Sequence, residues 1–199
     1  RVEHGIDQHA AAADLDELHD RLARQGGRPL VLDVRWVLGD PHGHAHYLER
    51  RIPGSVYVDL HEDLAAPPSP EEGRHPLPAS EDFEVAARRW GLRQGQSVVV
   101  LDDNGGMAAA RAWWLLRWAG HEDVRLLDGG LKAWTAAGYE LDGPEDEIPS
   151  PEPGDVQLSC GHMPTLDIDG AAAFPQRGVL LDARAAERYR GEQEPIDPR

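Results

Sequence analysis

Short apolar runs alternate with amphipathic stretches along most of this chain, and that alternation leaves few folds open. Residues 30–34 (LVLDV), 55–58 (SVYV), 97–101 (SVVVL) and 124–127 (VRLL) are apolar runs of strand length. Around them, 14–25, 80–90, 107–119 and 131–137 read as helices; in the first, Leu15, Leu18 and Leu22 fall at helical spacing. Asp14 and Ser80 stand where N-caps belong, and Gly26, Gly27 and Gly120 stand where helices stop. Parallel strands need a long crossover between them, so strand and helix in strict alternation predict an α/β fold with a mainly parallel sheet. Past Leu141 the pattern breaks. Residues 142–164 are crowded with prolines and acidic side chains, a linker composition. Beyond them, 165–173 reads as a strand-to-helix start and 178–183 (GVLLDA) as a strand. The expected division is a first domain over 1–141, a linker over 142–164 and the start of a second domain over 165–199.

Charge and cysteine content exclude several classes of function. The chain of 199 residues has 36 acidic and 20 basic side chains, a formal net charge of −16. Nucleic-acid binders and proteins that dock on anionic membranes need the opposite sign. No apolar run approaches the ~20 residues that span a bilayer. Cys160 is the only cysteine, which excludes an internal disulfide and a cysteine-rich zinc site and points to a cytoplasmic protein.

The tetrapeptide Leu32-Asp33-Val34-Arg35 returns as Leu181-Asp182-Ala183-Arg184. Both copies end an apolar run, so tandem domains are expected. In each, the aspartate and arginine read as a structural pair. The segments LDVRW (32–36), IPGSVYVDL (52–60), GRHPLP (73–78), VVVLDDNGGMAAARAWWLLRWAGH (98–121), VRLLDGGLKAW (124–134) and LLDARAAERYRGEQEPIDPR (180–199) carry a specific resemblance. In order and spacing the chain resembles the tandem-domain rhodaneses, the thiosulfate and 3-mercaptopyruvate sulfurtransferases.

The resemblance implies a rhodanese-like α/β fold: a mainly parallel five-stranded sheet with helices on both faces, present as one complete domain plus the start of a second. It implies sulfane-sulfur transfer from thiosulfate or 3-mercaptopyruvate to cyanide or a thiol through a cysteine persulfide, with no cofactor and no metal. The nucleophile belongs to the second domain. Carrying the spacing of the first copy forward places its loop roughly 50 residues past Arg199. No catalytic residue is therefore expected among these 199. In the first domain the corresponding position falls on Asp103, or on Asp102 if the register slips by one. A carboxylate forms no persulfide, so this domain is expected to be silent, its aspartates capping the following helix.

Arg188, in the R-Y-x-G segment, matches the family arginine that binds the donor anion; Arg199 matches a second one, though its spacing departs from the usual. Guanidinium suits both tasks through paired hydrogen bonds. Trp36 either faces the interdomain cleft near the persulfide, as an aromatic of the first domain does in the family, or packs in the core. Cys160 lies in the linker, away from any strand-to-helix loop, and reads as a free thiol. The run His42, His44, His46 is flanked by Pro41 and Gly43, which places it in a loop, and no metal site is assigned to it. The small-molecule donor and acceptor are the expected partners, and the protein is expected to be a monomer or weak dimer. The alternative is a silent rhodanese-like module that binds a partner or regulates one.

Overall fold

A computed structural model describes residues 12–24 and 26–193. The chain divides into two compact units, residues 1–163 and 164–199. The first is built on a five-stranded parallel sheet in the order β1-β5-β4-β2-β3, with β1 Ala12–Ala13, β2 Leu30–Val34, β3 Val56–Val58, β4 Val98–Leu101 and β5 Val124–Leu127. Its helices are α1 Leu15–Ala23, α2 Gly43–Glu49, α3 Ser80–Arg89, α4 Met107–Trp118 and α5 Gly130–Ala136. Register pairs Leu32 with Val100 on one side and with Val56 on the other.

Successive strand residues point to opposite faces, and both faces are buried. Leu30, Leu32, Val34, Val98 and Val100 pack with Phe83, Ala86, Trp90, Ala112 and Leu116 of the α3–α4 layer. Val31, Val99 and Leu101 pack with Leu18, Leu131 and Trp134 on the α1–α5 side. This is why the central strands read as unbroken apolar runs. Asp14 caps α1 through its carboxylate, which accepts from the Asp16 and Glu17 backbone N–H groups. At α3 the cap position is Ala79, and Ser80 is the first helical residue with no side-chain cap bond.

Two elements escape a reading by pattern. β1 is only two alanines, held by pairing with Leu126 and Leu127. α2 begins at Gly43, where a Cβ would lie 2.0 Å from the Arg35 carbonyl oxygen, so glycine is required for the helix to approach the end of β2. The histidine run is thus not a loop: His44 and His46 lie on α2.

The Pro- and acid-rich stretch after Leu141 lies against the first unit. The Arg51 side chain is fully buried; its guanidinium donates to the carbonyls of Leu48, Gly143, Asp146 and Glu147 at 2.9–3.2 Å, and its backbone bridges to Asp142. Gly154 N–H donates to Arg88 O at 2.7 Å, Val156 N–H to Leu92 O at 3.2 Å, and Val156 is buried in the core. Ser159 and His162 N–H groups take up the Ala119 and Trp118 carbonyls at the end of α4. Prolines interrupt the segment, and several of its other backbone groups find partners on the domain surface.

The second unit contains α6 Ile168–Ala173, a 3₁₀ turn Phe174–Gln176 and α7 Ala186–Tyr189. Residues 178–183 do not form the expected strand; Val179 and Leu181 are 79% and 85% exposed. An apolar run becomes a strand only when a neighbour supplies the ladder, and no described residue of this unit does.

The Arg51 clamp is testable. Arg51→Ala leaves four carbonyls without their donor and should lower the unfolding free energy by about 3 kcal/mol, read as an earlier midpoint in urea. An unchanged midpoint would show that the 142–147 segment docks without it.

Candidate functional site

Chain connections leave β2 and β4 in opposite directions, so the crevice at their carboxyl ends is where an open α/β sheet receives a ligand. Here that crevice is filled from within. Asp33, on β2, is completely buried, and Arg35 follows just past the strand. The Arg35 Nε and Nη2 donate to the two Asp33 carboxylate oxygens at 2.6 and 3.0 Å. The same guanidinium donates to Arg50 O at 2.7 Å and reaches Asp103 Oδ2 at 3.4 Å. Burial pushes the Asp33 carboxyl up to about 6 against the opposing pull of Arg35, with Asp103 and Asp102 adding to the rise. Arg35, Trp36, Val37, Asp40, Gly43, His46 and Asp103 leave a cavity of only about 10 Å³ between them.

The loop after β4, residues 102–106, has the form of an anion cradle, and its cradle is occupied by a side chain of the chain itself. Gly106, at φ 89°, turns the backbone into α4. Asp102 Oδ1 accepts from Asn104 N–H at 3.1 Å and Gly106 N–H at 2.8 Å; Oδ2 accepts from Ala108 and Ala109 N–H at 3.0 and 3.1 Å. Four backbone donors converge on one buried carboxylate, which also complements the helix dipole. The capping role expected of Asp102 and Asp103 therefore falls to Asp102 alone. Asp103, in the position matched to the nucleophile, is part-exposed and turned to Arg35. Neither residue brings a thiol, and four of the backbone donors at this helix entrance are already engaged by Asp102.

Beside this closed crevice lies an open cleft of about 420 Å³ lined by Trp36, Val37, Leu38, Pro41, His61 and His75, among others. Trp36 packs against the core and lines this cleft of the first unit. Its indole N–H donates to His61 Nε2 at 3.0 Å, its ring stands edge-on to His75 at 5.8 Å, and its carbonyl accepts from Asn104 Nδ2 at 2.6 Å. Arg111, on α4, donates to Leu64, His75 and Pro76 carbonyls at 2.8–3.1 Å and so fixes the loop carrying His75. Burial, with His61, Arg111 and Arg74 nearby, pulls the His75 imidazole below its usual range. His61 and His75 were not singled out by sequence reasoning; the GRHPLP segment was a signal for the second of them.

Among the other candidates, Arg188 lies half-buried on α7 in the second unit, and Arg199 falls outside the described residues. Cys160 is partly buried against the core, and its neighbour His162 pairs with Ser159 Oγ at 3.0 Å. His46 Nε2 meets Asp40 Oδ2 at 2.9 Å, and His44 packs on Tyr57. Among the described residues no group of three or more His, Cys, Asp or Glu side chains is placed to hold a metal ion.

Known proteins match this architecture. The rhodanese-like domain profile matches residues 14–137. A Pseudomonas aeruginosa protein named "Probable 3-mercaptopyruvate sulfurtransferase" is 49% identical over 176 residues, 85% of this chain and 60% of its own length. The thiosulfate sulfurtransferase of Azotobacter vinelandii is 37% identical over 164 residues, 79% of this chain and 56% of its own. Among solved structures, the rhodanese-fold 3-mercaptopyruvate sulfotransferase SseA from Escherichia coli superposes with a TM-score of 0.80 at 26% identity, covering 93% of this chain and 70% of that one. The chain thus spans about six-tenths of the length of the curated relatives it matches.

Two measurements probe the site. Asp102→Ala strips the cap from α4 and should cost about 2 kcal/mol of stability in a urea titration; a loss within error would remove Asp102 as the organiser of the loop. The Asp40–His46 contact raises the His46 imidazole, chiefly through the Asp40 hydrogen bond, while Asp40 is lowered by the His42 N–H first and His46 second. The contact is then fully formed between the ordinary values of 3.8 and 6.5, weakens as pH falls through the depressed Asp40 value, and weakens as pH rises through the elevated His46 value. By NMR titration, Asp40→Asn should return the His46 ring to the ordinary range; an unmoved midpoint would mean the pair does not form in solution.

Proposed function

The chain belongs to the rhodanese-like domain family, and on that premise we propose that it is the silent first domain and the opening of the second domain of a tandem sulfurtransferase. The observation that carries this reading is the occupied cradle after β4. The fold's anion-binding loop is present, but Asp102 fills it and no cysteine stands beside it. Sulfur chemistry therefore falls to a second copy, of which the Asp182–Arg184 pair and residues 165–199 are the beginning.

In the complete protein, a cysteine thiolate in the second domain's loop attacks the sulfane sulfur of the donor. The new S–S bond forms the persulfide as the donor's own bond to that sulfur breaks. Sulfite leaves from thiosulfate; from 3-mercaptopyruvate the enolate leaves and takes a proton to give pyruvate. Cyanide or a thiol then attacks the outer sulfur and restores the thiolate. Such a thiolate at neutral pH needs converging N–H groups at a helix N-terminus, the arrangement seen here around Asp102.

Arg188 holds the anionic end of the donor and Arg199 assists it, each through paired guanidinium hydrogen bonds. Trp36, from the first domain, supplies an aromatic wall. The relatives named for thiosulfate and for 3-mercaptopyruvate support both donor classes. A monomer or weak dimer in the cytoplasm fits the single cysteine and the charge of −16. No described helix is long and apolar enough to cross a membrane.

The test is a side-by-side assay of thiocyanate and pyruvate formation. The 199-residue chain should be inactive, and the complete gene product active. In the complete protein Arg188→Ala should raise KM about tenfold or more, the worth of one charge-assisted contact, with a smaller effect on kcat. An inactive complete product would leave the silent binding module as the function, and an unchanged KM would remove Arg188 from the donor site.

A further inference from the structure

Asn104 is the only asparagine in the chain, and a glycine follows it. The Asp102 carboxylate takes the N–H groups on either side, those of Asn104 and Gly106, and passes over Gly105. Among the described residues the Gly105 N–H donates to nothing. Gly105 has φ 92°, and nothing lies within 4 Å of where its Cβ would stand. The Gly105 nitrogen also lies at the entry to a 12-residue helix, whose dipole favours loss of its proton against the opposing charge of the Asp102 carboxylate. On the other side of the bond, the Asn104 Oδ1 is buried without a hydrogen-bond partner, and Nδ2 is held by the Trp36 carbonyl at 2.6 Å.

We propose that Asn104 is a spontaneous deamidation site whose conversion unties Trp36 from the loop after β4. Hydroxide removes the Gly105 amide proton, and the nitrogen attacks Asn104 Cγ. The new N–Cγ bond closes a five-membered succinimide. The Cγ–Nδ2 bond breaks, and the amide nitrogen leaves as ammonia with a proton from water. Water then opens the ring at either carbonyl to give aspartate or isoaspartate. Water and hydroxide are the only co-reactants. Both products lose the Nδ2 donor: in aspartate a carboxylate oxygen stands in its place facing the Trp36 carbonyl, and in isoaspartate the side-chain carbon passes into the backbone and the contact is broken. Each also adds a negative charge beside Asp102 and Asp103. Trp36 keeps its bond to His61 but loses the contact that fixes its backbone, and the wall of the 420 Å³ cleft is freed.

The experiment ages the folded chain at mildly alkaline pH beside a free peptide of residues 98–109. Isoaspartate at 104 is followed by peptide mass spectrometry, and the Trp36 indole N–H by NMR. The folded chain should convert about tenfold more slowly than the peptide, the retardation expected from one neutral hydrogen bond. Its indole resonance should move in step with conversion, toward the position seen in Asn104→Asp. Asn104→Gln, which cannot close the five-membered ring with Gly105, should stay unconverted with its resonance fixed. A folded chain that outlasts the peptide by more than about a thousandfold would overturn the modification site. Conversion with an unmoved indole would overturn its link to Trp36.

Discussion

The buried ion pair between Asp33 and Arg35 is the constraint from which the functional end of this domain is assembled. Two charges sit among apolar strands, where an unpaired one would cost several kcal/mol. The pair is tolerable because every strong donor of the guanidinium is used: two bonds go to Asp33, and others to carbonyls around α2. Those bonds dictate that α2 lie close against the end of β2. That closeness in turn requires Gly43, since a side chain there would overlap the Arg35 carbonyl. Satisfying one charge therefore sets a helix position, a glycine and the height of the loop that follows.

The second carboxylate, Asp102, completes the closure. It occupies the place an oxyanion would take at the mouth of α4, with the same backbone donors. A domain in which the charge at a helix N-terminus is covalently attached gains a fixed helix cap and gives up the ability to exchange that charge for a substrate. Helix capping and anion binding draw on one set of N–H groups, and here capping holds them. Arg35 reaching toward Asp103 closes the same crevice from the other side. Open clefts remain beside it: one around Trp36, whose walls are fixed indirectly by Arg111 and Asn104, and one of about 480 Å³ against Asp102, Gly105, Gly106 and Gly129.

The sheet was legible because its strands are buried on both faces: LVLDV and SVVVL are nearly free of polar interruption, and each pairs along most of its length. Asp14 was legible as a cap because capping is local. β1 was not, because two alanines carry no strand preference and owe their state to Leu126 and Leu127. α2 was hidden by its histidines and by Pro41 and Gly43, which read as loop unless the approach to Arg35 is known. Residues 178–183 failed in the opposite sense: the apolar run is real, but a strand needs a second stretch of backbone beside it, and among the described residues none pairs with this one. At the candidate site, the carboxylate in place of a thiol was evident from the letters, whereas which of Asp102 and Asp103 caps the helix needed coordinates. His61 and His75 come together with Trp36 from three separate stretches of chain, and no local pattern announces such a meeting.

The two L-D-x-R copies separate what is local from what is tertiary. Arg184 grips Asp182 in the same manner as Arg35 grips Asp33, with Nε and Nη2 at 2.7–3.0 Å from the carboxylate, yet this second pair is exposed. A residue spacing of two on extended backbone is enough to bring the guanidinium onto the carboxylate, so the pair forms without a sheet around it. An exposed pair contributes little to stability, and a solvated carboxylate is held low by its arginine, the direction found for Asp182. In the first copy, burial reverses that direction for Asp33. The motif therefore encodes a preassembled ion pair, and in the first unit burial beneath α2 makes it the keystone of a closed crevice. The local geometry is the same in both copies, and the opposite directions of the two carboxyls follow from how far each is buried.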